Sequence, residues 1–243
     1  MDPLLGARVA CRPPRAPTCC RMSLNERPPN AWVRGGWPRA IVPFKMSRLG
    51  RAAVAYLCLS GVAVIAALLW QGALPWRHPA PWFELEGALG ALTSIGSGVV
   101  LGGIVVLATR LLVTHFAWAR RLHVELRPLA RGLSSPAIVL LAVLSSVGEE
   151  LLFRGVLQPW MGLVPQAIVF GLLHYLPNRS RWAWVALATA VGLLLGALYQ
   201  ATGTLAGPIA AHAIVNGINL RHLRRHDPNR KPAGLGGLLG QRS

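Results

Sequence analysis

Acidic side chains are scarce in this chain: 243 residues carry 8 Asp or Glu against 25 Lys or Arg. Such a balance, with 53% hydrophobic residues and a mean hydropathy of +0.45, excludes a soluble domain with an ordinary mixed-charge surface. Cysteine is sparse too. Cys11, Cys19, Cys20 and Cys58 show no zinc-type or thioredoxin-type spacing, so neither a metal finger nor a redox motif is built from them. A glycine-rich phosphate loop, an internal repeat and a long soluble stretch are also missing. The net charge of +17 lies in the tails and between apolar segments. With no basic stripe on a soluble domain, nucleic acid is excluded as a partner, and the charge serves orientation and attraction to anionic lipid.

What the chain does have is apolar runs long enough to cross a bilayer, where every backbone polar group must be satisfied within the segment. They predict an all-α, polytopic membrane bundle. A hydrocarbon core of about 30 Å takes about 20 helical residues. Six segments approach that length, at about 52–70, 87–109, 136–153, 163–176, 182–200 and 204–220.

The organisation follows from these runs. Residues 1–50 are basic, rich in Pro and without hydrophobic periodicity, which predicts disorder. Met22 and Met46 are candidate alternative starts, and no apolar core of signal-peptide length follows the first charges. Residues 51–135 hold two spans and an amphipathic piece, His115 to Leu122, expected to lie along the membrane surface. The polar core segment is 136–220, and 221–243 reads as a basic flexible tail.

Basic residues alternate by side. The N-terminal tail, the 110–131 connection, the turn at Arg179 and Arg181, and the C-terminal tail are the basic ones, so both termini are expected in the cytoplasm. Trp70, Trp76, Trp82, Trp160 and Trp182 fall at span ends, as interfacial residues do. Gly98-x3-Gly102 and Gly192-x3-Gly196 have the small-residue spacing of close helix packing.

Inside the apolar runs, six polar side chains need a reason: Glu149, Glu150, Arg154, His174, His212 and Asn216. An ion at the bilayer centre costs from about 3 to more than 10 kcal/mol, so intramembrane charges mark function or pairing. At about 1.5 Å of rise per residue, Glu149, His174 and His212 fall at depths of roughly 14 to 20 Å in a core of about 30 Å. They can meet. Glu150 and Arg154, at i and i+4, share a helix face and form a structural ion pair, while Glu149 points away from it without a local cation. Glu149 is then the candidate base, with two histidines and an asparagine to orient water and receive a developing oxyanion.

Glu149-Glu150-x3-Arg154, Phe170-x3-His174 and His212-x3-Asn216, in that order on successive helices, resemble the CPBP (CAAX protease and bacteriocin-processing, or Abi) family of intramembrane proteases. Its eukaryotic members are the type II CAAX prenyl endopeptidases. The resemblance covers about 136–220 and leaves out the first two spans and both tails. It implies peptide-bond hydrolysis within the membrane by water activated at Glu149. His174 would assist or bind that water, and His212 and Asn216 would stabilise the oxyanion. A membrane-embedded or membrane-tethered protein or peptide is the implied substrate.

The compact six-span plan looks bacterial, which places the chain in the cytoplasmic membrane and means that CAAX specificity is not carried over. No cofactor is expected. Glu149, His174 and His212 would nevertheless also make a His2Glu zinc set, although no His-Glu-x-x-His helix is present. Three other readings compete. A non-catalytic membrane partner or immunity protein would use the polar cluster only to join helices. A carrier fits buried carboxylates but lacks visible repeated halves. A serine protease on Ser145 or Ser146 lacks a Gly-x-Ser-x-Gly elbow, and these serines are expected to hydrogen-bond within their helix.

Overall fold

The computed structural model describes residues 47–83 and 87–228. The expected disordered tail over 1–50 lies almost entirely outside these residues, as does the end of the C-terminal tail. Among the described residues the chain is helical, with one isolated bridge between Arg77 and Thr204 and no strand. The helices are α1 (Arg48–Gln71), α2 (Gly87–His115), α3 (Ala117–Arg131), α4 (Ser135–Glu150), α5 (Gln158–Met161), α6 (Leu163–Leu173), α7 (Arg181–Thr202) and α8 (Ala206–Arg225). Between α4 and α5 the helix continues without a break as a π segment, Leu151–Leu157.

Among the described residues four stretches are long and apolar enough to cross a membrane: α1, α2, the continuous rod Ser135–Met161, and α7. Their outer faces carry exposed side chains such as Leu57, Ile65, Leu69, Val100 and Ile104, an apolar surface of the kind that lipid covers. The protein is an integral membrane protein with an all-α bundle. The two remaining expected spans differ from the other four. With 11 residues, α6 is about 16 Å long and cannot cross a core of about 30 Å by itself. Helix α8 has the length but also the polar residues, and it runs through Arg225, past the point where the flexible tail was expected to begin.

Small residues set the packing. Gly98 and Gly102 of α2 lie against the backbone of α8 at Gly207 and Ala211, so close that a Cβ on Gly98 would collide with the Gly207 carbonyl. Ser94 reinforces this seam through Thr202 at 2.9 Å and the Gly207 N–H at 3.0 Å. Gly192 and Gly196 of α7 receive Phe170 and Ala167 of α6 and the side chains of Leu163, Gln158 and Gln166. Both glycine pairs thus serve close helix approach, as their spacing suggested.

The five tryptophans at span ends are exposed, and Trp70 meets Trp160 edge to face at 5.5 Å. Helix α3 is amphipathic, burying Ala119, Leu122, Leu126 and Ala130. Its Glu125 accepts the Ser180 N–H at 3.1 Å at the start of α7, and Arg127 pairs with Asp227 beyond α8. The α3 end therefore ties α7 and α8 together.

Candidate active site

The rod Ser135–Met161 enters as a regular helix because Ser134 caps it, accepting the Ala137 N–H at 3.3 Å, and Pro136 sits in the first turn where no N–H is needed. At Leu151 it widens into the π segment. Such single-turn widenings concentrate at functional sites, and this one directly follows the two glutamates.

Glu150 and Arg154 are completely buried and joined at 2.9 Å, as the i, i+4 spacing predicted. Arg154 also donates to the Gly192 carbonyl at 3.0 Å and lies over the Phe170 ring at 4.7 Å. The pair is not closed on itself, however. The Glu150 oxygen that accepts from Arg154 also lies 2.7 Å from His212 Nδ1. The expected division, with Glu150 purely structural and the histidines facing Glu149 alone, is thus incomplete: Glu150 orients His212.

That contact fixes the imidazole. A carboxylate can only accept, so His212 Nδ1 carries the hydrogen and Nε2 presents a lone pair when the ring is neutral. His174 is held in the same way. Its Nδ1 donates to the Phe170 carbonyl, 2.7 Å away, and its Nε2 is left free. Both free Nε2 atoms lie 3.8 Å from the same oxygen, Glu149 Oε2. This oxygen is buried and has no hydrogen-bond partner among the described residues. At 3.8 Å these contacts are too long for direct hydrogen bonds, so the two lone pairs and the carboxylate oxygen face one another unpaired.

Access follows a gradient. Side-chain exposure falls from 26% at His174 to 13% at Glu149, 5% at His212 and none at Glu150. The cluster is therefore most exposed at His174, next to the 174–180 connection. Here α6 ends at Leu173, and His174 is its C-cap residue and not an interior one.

Asn216 lies one turn beyond His212 on α8. Its amide nitrogen donates to Ser145 Oγ at 3.1 Å, and Ser145 in turn donates to the Ala142 carbonyl at 3.4 Å. Ser146 bonds Ala142 as well, at 2.6 Å. Both serines bond within their helix as expected, and Ser145 has no general base among its partners.

Three residues escaped sequence reasoning, Tyr56, Gln158 and Gln166, while Phe170 of the Phe170-x3-His174 motif takes on a wider packing role. Tyr56, the lone tyrosine of α1, brings its hydroxyl to the Glu149 carboxylate, and the signal for it was a tyrosine within an otherwise mostly apolar span. Phe170 stacks against His174 at 4.4 Å and also meets Phe153 and His212, so one ring fixes four members of the cluster. Gln158 and Gln166 are buried between α5, α6 and α7, with Gln158 donating to the Gly196 carbonyl at 2.9 Å.

The comparisons with known proteins bear on this region. Residues 131–218 match the family described as Type II CAAX prenyl endopeptidase Rce1-like. A Bacillus subtilis (strain 168) protein named Uncharacterized protein YpbD is 40% identical over 101 residues, which are 39% of this chain and 53% of that protein. The chain thus spans about half the length of that relative. No solved structure matches. The matched segment contains Glu149, Glu150, Arg154, His174, His212 and Asn216, so the helices that carry the site are the part of the chain similar to that family.

Proposed function

We propose that the protein is an intramembrane endopeptidase that hydrolyses a peptide bond of a membrane-associated protein or peptide, using water activated by Glu149. The observation that carries this reading is the convergence of two histidine lone pairs on one orphaned carboxylate oxygen, each at 3.8 Å. Water bound beside these three atoms donates one hydrogen to Glu149 and is aimed by a histidine. As its oxygen attacks the peptide carbonyl carbon, the proton passes to Glu149. Collapse of the tetrahedral intermediate breaks the C–N bond, and Glu149 returns the proton to the leaving amine.

Asn216 has a second amide hydrogen beyond the one given to Ser145, and this one is available to the oxyanion. His212 contributes differently. Neutral, it accepts at Nε2. With Glu150 holding its Nδ1–H it can also carry a proton on Nε2 and donate it as negative charge develops. His174, the most exposed member, assists Glu149 and meets incoming water.

Glu149, His174 and His212 are also the donors of a His2Glu zinc set. Zinc with bonds of about 2.0–2.1 Å holds tetrahedral donors about 3.4 Å apart. Here each histidine Nε2 lies 3.8 Å from Glu149 Oε2, wider than that spacing, and no group of three His, Cys, Asp or Glu among the described residues is placed to hold an ion. The proposed chemistry uses water alone.

The arginines at the α3 end favour an orientation in a bacterial cytoplasmic membrane with this end and both termini inside. The site then opens to the cytoplasm through the 174–180 connection. The test is cleavage of a panel of membrane-tethered peptides by the full chain in phospholipid vesicles. His174→Ala, at the most exposed position of the cluster, is expected to lower turnover by about 10²-fold or more, the range of general acid–base assistance. No cleavage by the wild type, or equal cleavage by the variant, contradicts the proposal.

A further inference from the structure

A groove of about 200 Å³ runs between α4 and α8 on the outside of the bundle. Its walls are Ile138 and Val139 on one side and Ala213, Ile214, Gly217 and Ile218 on the other, with Ser135 and Arg221 at one end. Val139 and Ile218 are open to the membrane. From Ala213 to Arg221 it extends about 12 Å along α8. It is apolar along its length and polar only at the mouth.

The mouth is built for an anion. Other arginines nearby are engaged: Arg110 with the Ile218 carbonyl at 3.3 Å, Arg127 with the Leu223 carbonyl at 3.2 Å, and Arg224 with the Leu133 carbonyl at 2.8 Å. Arg221 is exposed and has no partner among the described residues. Arg224 also donates to Ser135 Oγ at 2.9 Å, which leaves the Ser135 hydroxyl hydrogen free, polarised by that cation and lying at the groove mouth.

We infer that this groove is a binding site for one anionic phospholipid, with an acyl chain between α4 and α8 and its phosphate at Arg221 and Ser135. Charge complementarity selects the headgroup, and the position of the mouth at the basic end of the bundle places it at headgroup level. The site does not depend on the proteolytic reading. It does share both of its helices with the cluster, because α4 leads on to Ser145 and Glu149 and α8 holds His212 and Asn216.

The experiment is native mass spectrometry of the purified full chain, titrated with phosphatidylglycerol and separately with phosphatidylcholine. Phosphatidylglycerol is expected to be retained preferentially as a single molecule. Arg221→Gln is expected to lower that retention about fivefold without altering phosphatidylcholine, the value of one basic residue near an anionic lipid surface. Gly217→Val fills the groove, since a Cβ there meets nothing closer than Ala142 at 3.6 Å, and it is expected to abolish single-lipid retention with Arg221 in place. Equal retention of both lipids overturns the inference. So does loss in Arg221→Gln alone, which marks a surface charge effect. Unchanged lipid binding in Gly217→Val with lost peptide cleavage, or with lost self-association, assigns the groove to a substrate or a second copy and overturns it as well.

Discussion

Replacing Glu150 by Gln keeps the shape of the side chain and removes one charge from a pair that no solvent reaches. Arg154 then retains the Gly192 carbonyl at 3.0 Å and the Phe170 ring at 4.7 Å, but no anion on its own side chain's face. Removing one partner of a buried pair costs about 3–5 kcal/mol, because the other charge stays behind uncompensated. Arg154→Met is expected to cost a similar amount by leaving the Glu150 carboxylate with His212 alone. The double variant removes both charges. Neutral replacement of a buried pair is often close to neutral in stability, so it is expected to be less damaging than the two single costs added, by at least about 2 kcal/mol.

The assay is reversible unfolding of the four proteins in mixed micelles, followed by the fluorescence of the nine tryptophans. Single and double variants that add within about 0.5 kcal/mol, the agreement seen for independent sites, would refute the assignment of Glu150 and Arg154 as one coupled unit.

Two further outcomes follow from the geometry. Ser145→Ala leaves the half-buried Asn216 amide without its 3.1 Å acceptor, costing about 0.5–1.5 kcal/mol, the net worth of a typical hydrogen bond. It is expected to slow cleavage with little change in KM, with recovery in Ser145→Thr, whereas a nucleophilic Ser145 would give no activity in either variant. The second concerns pH. His222 packs edge to face on His123 at 5.2 Å and stacks on His226 at 4.7 Å. Burial, together with the charges of Arg110, His123 and His226, holds its pKa down at about 4. Burial lowers that of His123 too, with Arg110, Arg127 and His226 adding to it. A pKa lowered in the folded state means that the unfolded chain binds the proton first. The stability of this end is therefore complete above about pH 6.5 and falls as pH drops toward 4. His222→Phe, which removes the titration, is expected to flatten the pH dependence of unfolding between those limits.

Much of the site was legible in the sequence because rise per residue is fixed. Depth alone brought Glu149, His174 and His212 to one level, and the i, i+4 rule paired Glu150 with Arg154. The remainder depends on where side chains point after packing. No residue pattern marks the change to a π segment at Leu151, and nothing local tells that α8 would aim His212 Nδ1 at Glu150 and Nε2 at Glu149. His174 looked like an interior helical residue because the apolar run continues to Leu176, yet α6 stops at Leu173. Tyr56 was invisible for a different reason: α1 carries no acidic residue or histidine, and the one polar neighbour of Tyr56 at helical spacing, Ser60, bonds back to the Tyr56 carbonyl.

The full chain in vesicles, single-turnover hydrolysis of a membrane-tethered peptide, and wild type against Glu149→Gln together test the central claim most directly. The account predicts that Glu149→Gln inserts and purifies normally and loses activity by about 10²–10⁴-fold, the contribution of a general base. Turnover within a few fold of wild type in a folded Glu149→Gln protein would contradict it.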